Sequence, residues 1–123
     1  MSDSKTVLCV DDEPEIIELL KDKLEEKGIN VLSANSGNSA YEVYQKNNID
    51  CLISDVRMPD GTGVELITKI REENKKLPVY LITGHLDHSE KQVRTLKIEA
   101  VIFKPFDIDE LADTVLHTLN NLP

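Results

Sequence analysis

Tryptophan is absent from this chain, aromatic residues make up only 4% of its 123 residues, and cysteine occurs twice. Cys9 and Cys51 both lie inside short apolar runs, the usual place of small buried hydrophobes, so a disulfide framework is not indicated and a reducing cytoplasm is expected. Basic residues are scarce beside acidic ones, 14 against 23, for a net charge of −9. That balance argues against direct nucleic-acid binding, because contacts to a phosphate backbone need a basic surface. Mg²⁺ and basic protein surfaces suit it better. No apolar run approaches membrane-spanning length, and the opening Met1-Ser2-Asp3-Ser4-Lys5 is polar where a secretory leader would be apolar. Internal repeats and low-complexity tracts are missing too. What remains is the composition of one ordinary domain, 40% hydrophobic and 30% charged, long enough to bury a core and too short for two, so residues 1–123 are expected to form a single unit.

Five short apolar runs punctuate the chain. Val7 to Val10 stops at Asp11-Asp12-Glu13-Pro14, where a helix begins with Asp12 as expected N-cap, Glu15 three residues on and Pro14 in the first turn. Ile16, Ile17, Leu20 and Leu24 form its apolar stripe, and Gly28 closes it. The second strand, Asn30 to Ala34, is less apolar and belongs nearer an edge. Ser36-Gly37-Asn38 opens a helix through Tyr41, Val43 and Tyr44. Cys51-Leu52-Ile53 leads to Asp55 and the turn Pro59-Asp60-Gly61, so Asp55 falls where a buried strand meets solvent. Thr62 and Glu65 have capping-box spacing ahead of a helix with Val64, Ile67 and Ile70 on its buried face. Val79 to Ile82 ends at Thr83-Gly84. A polar helix over 89–96, with Val93 and Leu96 as its clear apolar anchors, is weakly held and a candidate to move or to meet a partner. Ala100 to Phe103 ends at Lys104-Pro105, and Asp107 with Glu110 caps a last helix carrying Leu111, Val115, Leu116 and Leu119.

Apolar strands alternating strictly with helices predict an α/β fold, a three-layer doubly wound five-stranded parallel sheet with right-handed crossovers. Its chemistry belongs at the carboxyl ends of the strands. Asp11, Asp12, Asp55, Thr83 and Lys104 all come from such ends. Singly each has an ordinary explanation, as a cap or a solvated charge, and it is their convergence that carries the reading. Three gathered carboxylates repel unless a cation is present, and an all-oxygen set suits Mg²⁺ or Mn²⁺ rather than zinc. Lys104 opposite that ion leaves room for a doubly charged tetrahedral anion, with the Thr83 hydroxyl as donor and Asp55 as a nucleophile able to accept a phosphoryl group.

Asp11-Asp12, Asp55 with Met58-Pro59-Asp60-Gly61, Thr83, and Lys104-Pro105-Phe106, in that order, resemble the receiver domain of two-component response regulators. The likeness runs from about Lys5 to about Leu119. It implies a flavodoxin-like fold with strand order 2-1-3-4-5, and phosphorylation of Asp55 by a histidine kinase or phosphotransfer protein. It implies Mg²⁺ held by Asp11, Asp12, Asp55 and the main-chain carbonyl of Arg57, and a cis Lys104-Pro105 bond. Thr83 and Lys104 would contact the phosphoryl group, and Arg57 and His85 would border the site and modulate the lifetime of the phosphorylated state. The partner face would comprise the fourth helix, fifth strand and fifth helix, acting on a downstream protein or linked output domain. One departure is Val101, where receivers usually carry an aromatic switch residue; the nearest aromatic, Phe103, is assigned to the opposite face of the strand.

Two other functions share these residues. A Mg²⁺-dependent phosphohydrolase of the haloacid dehalogenase type usually has a second aspartate two residues after its nucleophile, where this chain has Arg57, and little length is left for a substrate cap. A pseudo-receiver would keep the fold as a docking surface without phosphorylation. Self-catalysed dephosphorylation, and no turnover of an external substrate, is the expectation for the leading reading.

Overall fold

The structure, a computed structural model, describes residues 4–84 and 96–122. In chain order the elements are β1 (Thr6–Val10), α1 (Pro14–Glu26), β2 (Asn30–Ala34), α2 (Gly37–Lys46), β3 (Cys51–Asp55), α3 (Gly63–Glu73), β4 (Val79–Thr83), β5 (Ala100–Phe103) and α4 (Ile108–Asn120). The expected helix over 89–96 lies almost wholly outside the described residues, so α4 is the helix that ends the chain.

All neighbouring strands pair in parallel, and the sheet order is β2-β1-β3-β4-β5. Strand periodicity splits the core into two layers. Val7, Cys9, Ile53, Tyr80 and Ile82 pack against Leu20 and Leu24 of α1 and Leu111 and Val115 of α4. Leu8, Val10, Leu52 and Leu81 face Ala40 of α2 and Leu66, Ile67 and Ile70 of α3. β3 and β4 are buried along their whole length, as continuous apolar runs require, while β2, at an edge, is only partly covered. Both cysteines are free and fully buried, and burial pushes the Cys51 thiol up to about 12. They act as core filler rather than as nucleophiles.

Most helix ends form where the local chemistry places them. Thr62 and Glu65 close a reciprocal capping box on α3, Ser36 accepts from the Ser39 N–H, and Asp107 accepts from the Glu110 N–H. Gly28, at φ 81°, follows α1 in the left-handed conformation that ends helices. The start of α1 differs from expectation. Its N-cap is Glu13 rather than Asp12, and no side chain caps it. The Glu13 N–H is instead taken by Asp11 Oδ1 at 2.9 Å, so the acidic run turns its carboxylates toward the strand rim and away from the helix. On α3 the buried face also includes Leu66, and Val64 is only partly covered.

The loop after β3 is stitched to the start of α2. Gly61 O accepts from the Gly37 N–H at 2.9 Å, Asp60 O from the Asn38 N–H at 3.2 Å, and Asp60 Oδ1 from Asn38 Nδ2 at 2.8 Å. Asp60 and Gly61 both have positive φ, 57° and 98°, the backbone that Asp and Gly tolerate best. The loop leaving Asp55 is held at its far end by these bonds and at its near end by the Val56 N–H, which donates to Ile82 O at 3.1 Å.

Candidate functional site

The parallel sheet brings the carboxyl ends of β1, β3, β4 and β5 to one rim, and with them the five expected strand-end groups. Asp11 follows β1 and is 1% exposed; Asp55 ends β3 and is 7% exposed. Asp12 lies beside them, exposed. Thr83 closes β4, buried, and its carbonyl accepts the Lys104 N–H at 2.8 Å. Lys104 follows β5 through a cis bond to Pro105, as the resemblance implied.

Lys104 Nζ reaches across the rim to three carboxylates. It lies 3.0 Å from Glu13 Oε1, 3.3 Å from Asp55 Oδ2 and 3.4 Å from Asp11 Oδ2. Ligand atoms of Asp11, Asp12, Glu13 and Asp55 lie within 4.8 Å of one another. Three of these four carboxylates contact the Lys104 ammonium. A hard divalent cation would supply the missing positive charge.

The buried members show the strain of that arrangement. Among the described residues Asp11 Oδ2 is buried without a hydrogen-bond partner, its approach to Lys104 being an ion pair without hydrogen-bond alignment. Burial holds the Asp11 carboxyl above the usual carboxylate range; the Glu13 N–H opposes this, the charge of Asp55 adds to it and Lys104 counters. Burial raises Asp55 as well, against the pull of Lys104 and of the backbone N–H groups of Arg57 and Val56. Desolvation alone would lower Lys104, but the hydrogen bond to Glu13 and the charges of Asp55 and Asp11 outweigh it and hold the ammonium protonated. An acceptor buried without a donor, inside a ring of carboxylates, is the environment a Mg²⁺-type cation fits, and the all-oxygen donor set agrees. A cleft of about 550 Å³ between α1, the end of β2 and α2 is lined in part by Asp11 and Asp12.

Arg57 is exposed two residues beyond Asp55, and its backbone N–H acts on the Asp55 carboxylate; His85 lies outside the described residues. Val101 packs on the α2–α3 side, paired with Leu81. The assignment of Phe103 to the other face does not hold: residues two apart on a strand share a face. What separates the two is position, since Phe103 sits at the strand end and is 55% exposed.

Sequence reasoning missed Glu13, whose acid was absorbed into the helix-start pattern before Pro14. The available signal was a third consecutive acid directly after a buried strand.

Comparison with known proteins agrees with this geometry. Residues 7–116 match the family described as "Response regulator receiver domain". The probable transcriptional regulatory protein TcrX of Mycobacterium tuberculosis is 36% identical over 108 residues, covering 86% of this chain and 46% of TcrX. The sensor histidine kinase RcsC of Escherichia coli is 36% identical over 116 residues, 93% of this chain and 12% of RcsC. The chain thus spans less than half the length of these curated relatives. Among solved structures, chemotaxis response regulator CheY4 of Vibrio cholerae superposes with a TM-score of 0.85 at 28% identity, covering 94% of this chain and 98% of CheY4. Response regulator TrrA of Thermotoga maritima, solved in complex with Mg²⁺ and BeF, superposes at 0.81 with 33% identity, over 93% of this chain and 98% of TrrA.

Proposed function

The chain belongs to the response regulator receiver domain family, and from that premise we propose that Asp55 is its phosphoacceptor, fed by a histidine kinase or a phosphotransfer protein. The observation that carries this reading is the position of Lys104 Nζ, 3.3 Å from Asp55 Oδ2 and 3.4 Å from the unpartnered oxygen of Asp11. An Asp55 oxygen attacks the phosphorus of a phosphohistidine; the P–O bond forms as the P–N bond breaks, and the leaving imidazole takes its proton from solvent. Lys104 and the Thr83 hydroxyl bind the phosphoryl oxygens. Asp11, Asp12, Asp55 and the Arg57 carbonyl hold Mg²⁺, or Mn²⁺, which when bound neutralises charge on the transferring group. The Mg²⁺ and BeF seen with TrrA support that pairing.

Water attack on the acyl phosphate resets the module, and Arg57 modulates its rate. No external substrate is turned over, and the place of work is the cytoplasm. The output face includes β5 and α4, and exposed Phe103 supports β5 as part of it; the helix expected over 89–96 lies almost wholly outside the described residues. With Val101 in place of an aromatic, transmission to that face proceeds without the usual rotating ring.

The test is incubation with acetyl phosphate and Mg²⁺ followed by intact mass. One phosphoryl group gained, and none in Asp55→Asn, is expected. No gain in the unsubstituted chain would favour a docking module, and steady phosphate release from a phosphomonoester would favour the hydrolase.

A further inference from the structure

Glu13 makes the shortest of the three contacts to Lys104, 3.0 Å, yet it is 54% exposed and occupies the N-cap of α1 without capping it. A residue at that position ordinarily folds its side chain back onto the free N–H groups of the first turn. Here the carboxylate crosses the rim instead, while Asp11 Oδ1 fixes its backbone N–H. The arrangement couples Glu13 to both sides of the site: through Asp11 to the cation cluster, in which its own oxygen lies within 4.8 Å of the others, and through Lys104 to the group that must bind the phosphoryl oxygens.

We propose that Glu13 is a positioning residue that strengthens cation binding while holding Lys104 back from the incoming phosphoryl group. The inference rests on the receiver reading above and adds a residue to it. Its signature is two effects of opposite sign from one side chain. Removing the carboxylate subtracts negative charge from the cluster, so the cation binds less tightly. The same change leaves Lys104 with Asp55 and Asp11 as partners, so the ammonium is free sooner to engage the transferring group, and phosphorylation at saturating cation becomes faster. A carboxylate that only solvated the end of α1 would do neither.

Glu13→Gln and Glu13→Asp separate charge from reach, and exposure of the side chain makes both foldable. Mg²⁺ affinity is read by isothermal titration calorimetry on the unphosphorylated protein, and the initial rate of Asp55 phosphorylation by acetyl phosphate is read at saturating Mg²⁺. For Glu13→Gln, affinity weakens about threefold to tenfold, as expected for one exposed charge acting on a divalent ion, and the rate rises by a similar factor. Glu13→Asp keeps the charge but is one methylene too short for the Lys104 contact, so its affinity stays near the parent value while its rate rises. Affinity and rate falling together in Glu13→Gln, neither changing, or Glu13→Asp matching the parent rate would each overturn the proposal. Failure of the parent chain to take up phosphate is a different result: it sinks the receiver reading and the rate effect with it, while the calorimetry still tests the cation effect.

Discussion

Asp11→Asn is expected to stabilise the metal-free protein and to abolish most of its stabilisation by Mg²⁺. Asp11 Oδ2 is buried without a hydrogen bond, and burial with the nearby Asp55 keeps its carboxyl above the ordinary range despite Lys104. At neutral pH the ionised form is therefore held against a net penalty. An unsatisfied buried acceptor costs about 1–3 kcal/mol. Asparagine keeps the oxygen that accepts the Glu13 N–H and removes the buried charge with its repulsion by Asp55, at the loss of one of the three carboxylates paired with Lys104, so a net of about 1 kcal/mol is recovered. With an unfolding entropy of about 2.1 cal/mol/K per residue, or about 0.26 kcal/mol/K for this chain, the melting temperature rises by about 4 °C. Mg²⁺ at about ten times its Kd stabilises the parent by about 1.4 kcal/mol, enough to reverse the order of the two proteins. Thermal melts by circular dichroism at pH 7, with and without Mg²⁺, read this crossing. A variant less stable than the parent in the absence of metal, or equal stabilisation of both by Mg²⁺, would refute the reasoning.

The same geometry sets four further expectations. Asp11 and Asp55 are both raised by burial, so the stability they contribute is present below the ordinary carboxylate pKa and is lost as pH rises through their raised values. Mg²⁺ affinity runs the other way, weakening on acidification from neutrality toward about pH 4 as protons compete for the same oxygens; a calorimetric titration flat across that range would contradict it. A methyl at Gly63 would be driven into the Asp55 carbonyl oxygen and against Ser54 Oγ, so Gly63→Ala costs about 1–3 kcal/mol in denaturant unfolding and slows Asp55 phosphorylation by shifting the acceptor. Arg57→Ala alters the lifetime of the phosphorylated state more than its extent, and equal decay rates for variant and parent would count against that.

Much of this site was legible in the sequence because strand ends are. β1 and β3 to β5 are apolar runs that stop abruptly at a polar residue, and a parallel sheet leaves those stops no choice but a common rim. Caps were legible for a similar reason: Thr62 with Glu65 and Asp107 with Glu110 are local patterns with local partners. Asp12 was misjudged as the cap of α1 because the competing demand on the acidic run is tertiary. Lys104 arrives from 91 residues away, and no local pattern announces that it will draw Glu13 outward. Val101 stands where the resemblance leads one to expect an aromatic, and the facing of Phe103 was misassigned against the period of the strand itself. The stitch of Gly37 to Gly61 was invisible for want of any local signal, being a backbone contact between two loops.

The central claim is that Asp11, Asp12, Asp55, Thr83 and Lys104 form one cation and phosphoryl site. A crystal structure with Mn²⁺ and beryllium fluoride tests it most directly, because manganese marks its own position by anomalous scattering. The account expects one ion on Asp11, Asp12, Asp55 and the Arg57 carbonyl, with the fluoride group on Asp55 between Thr83 and Lys104. An ion bound elsewhere, or a fluoride group away from Asp55, would contradict it.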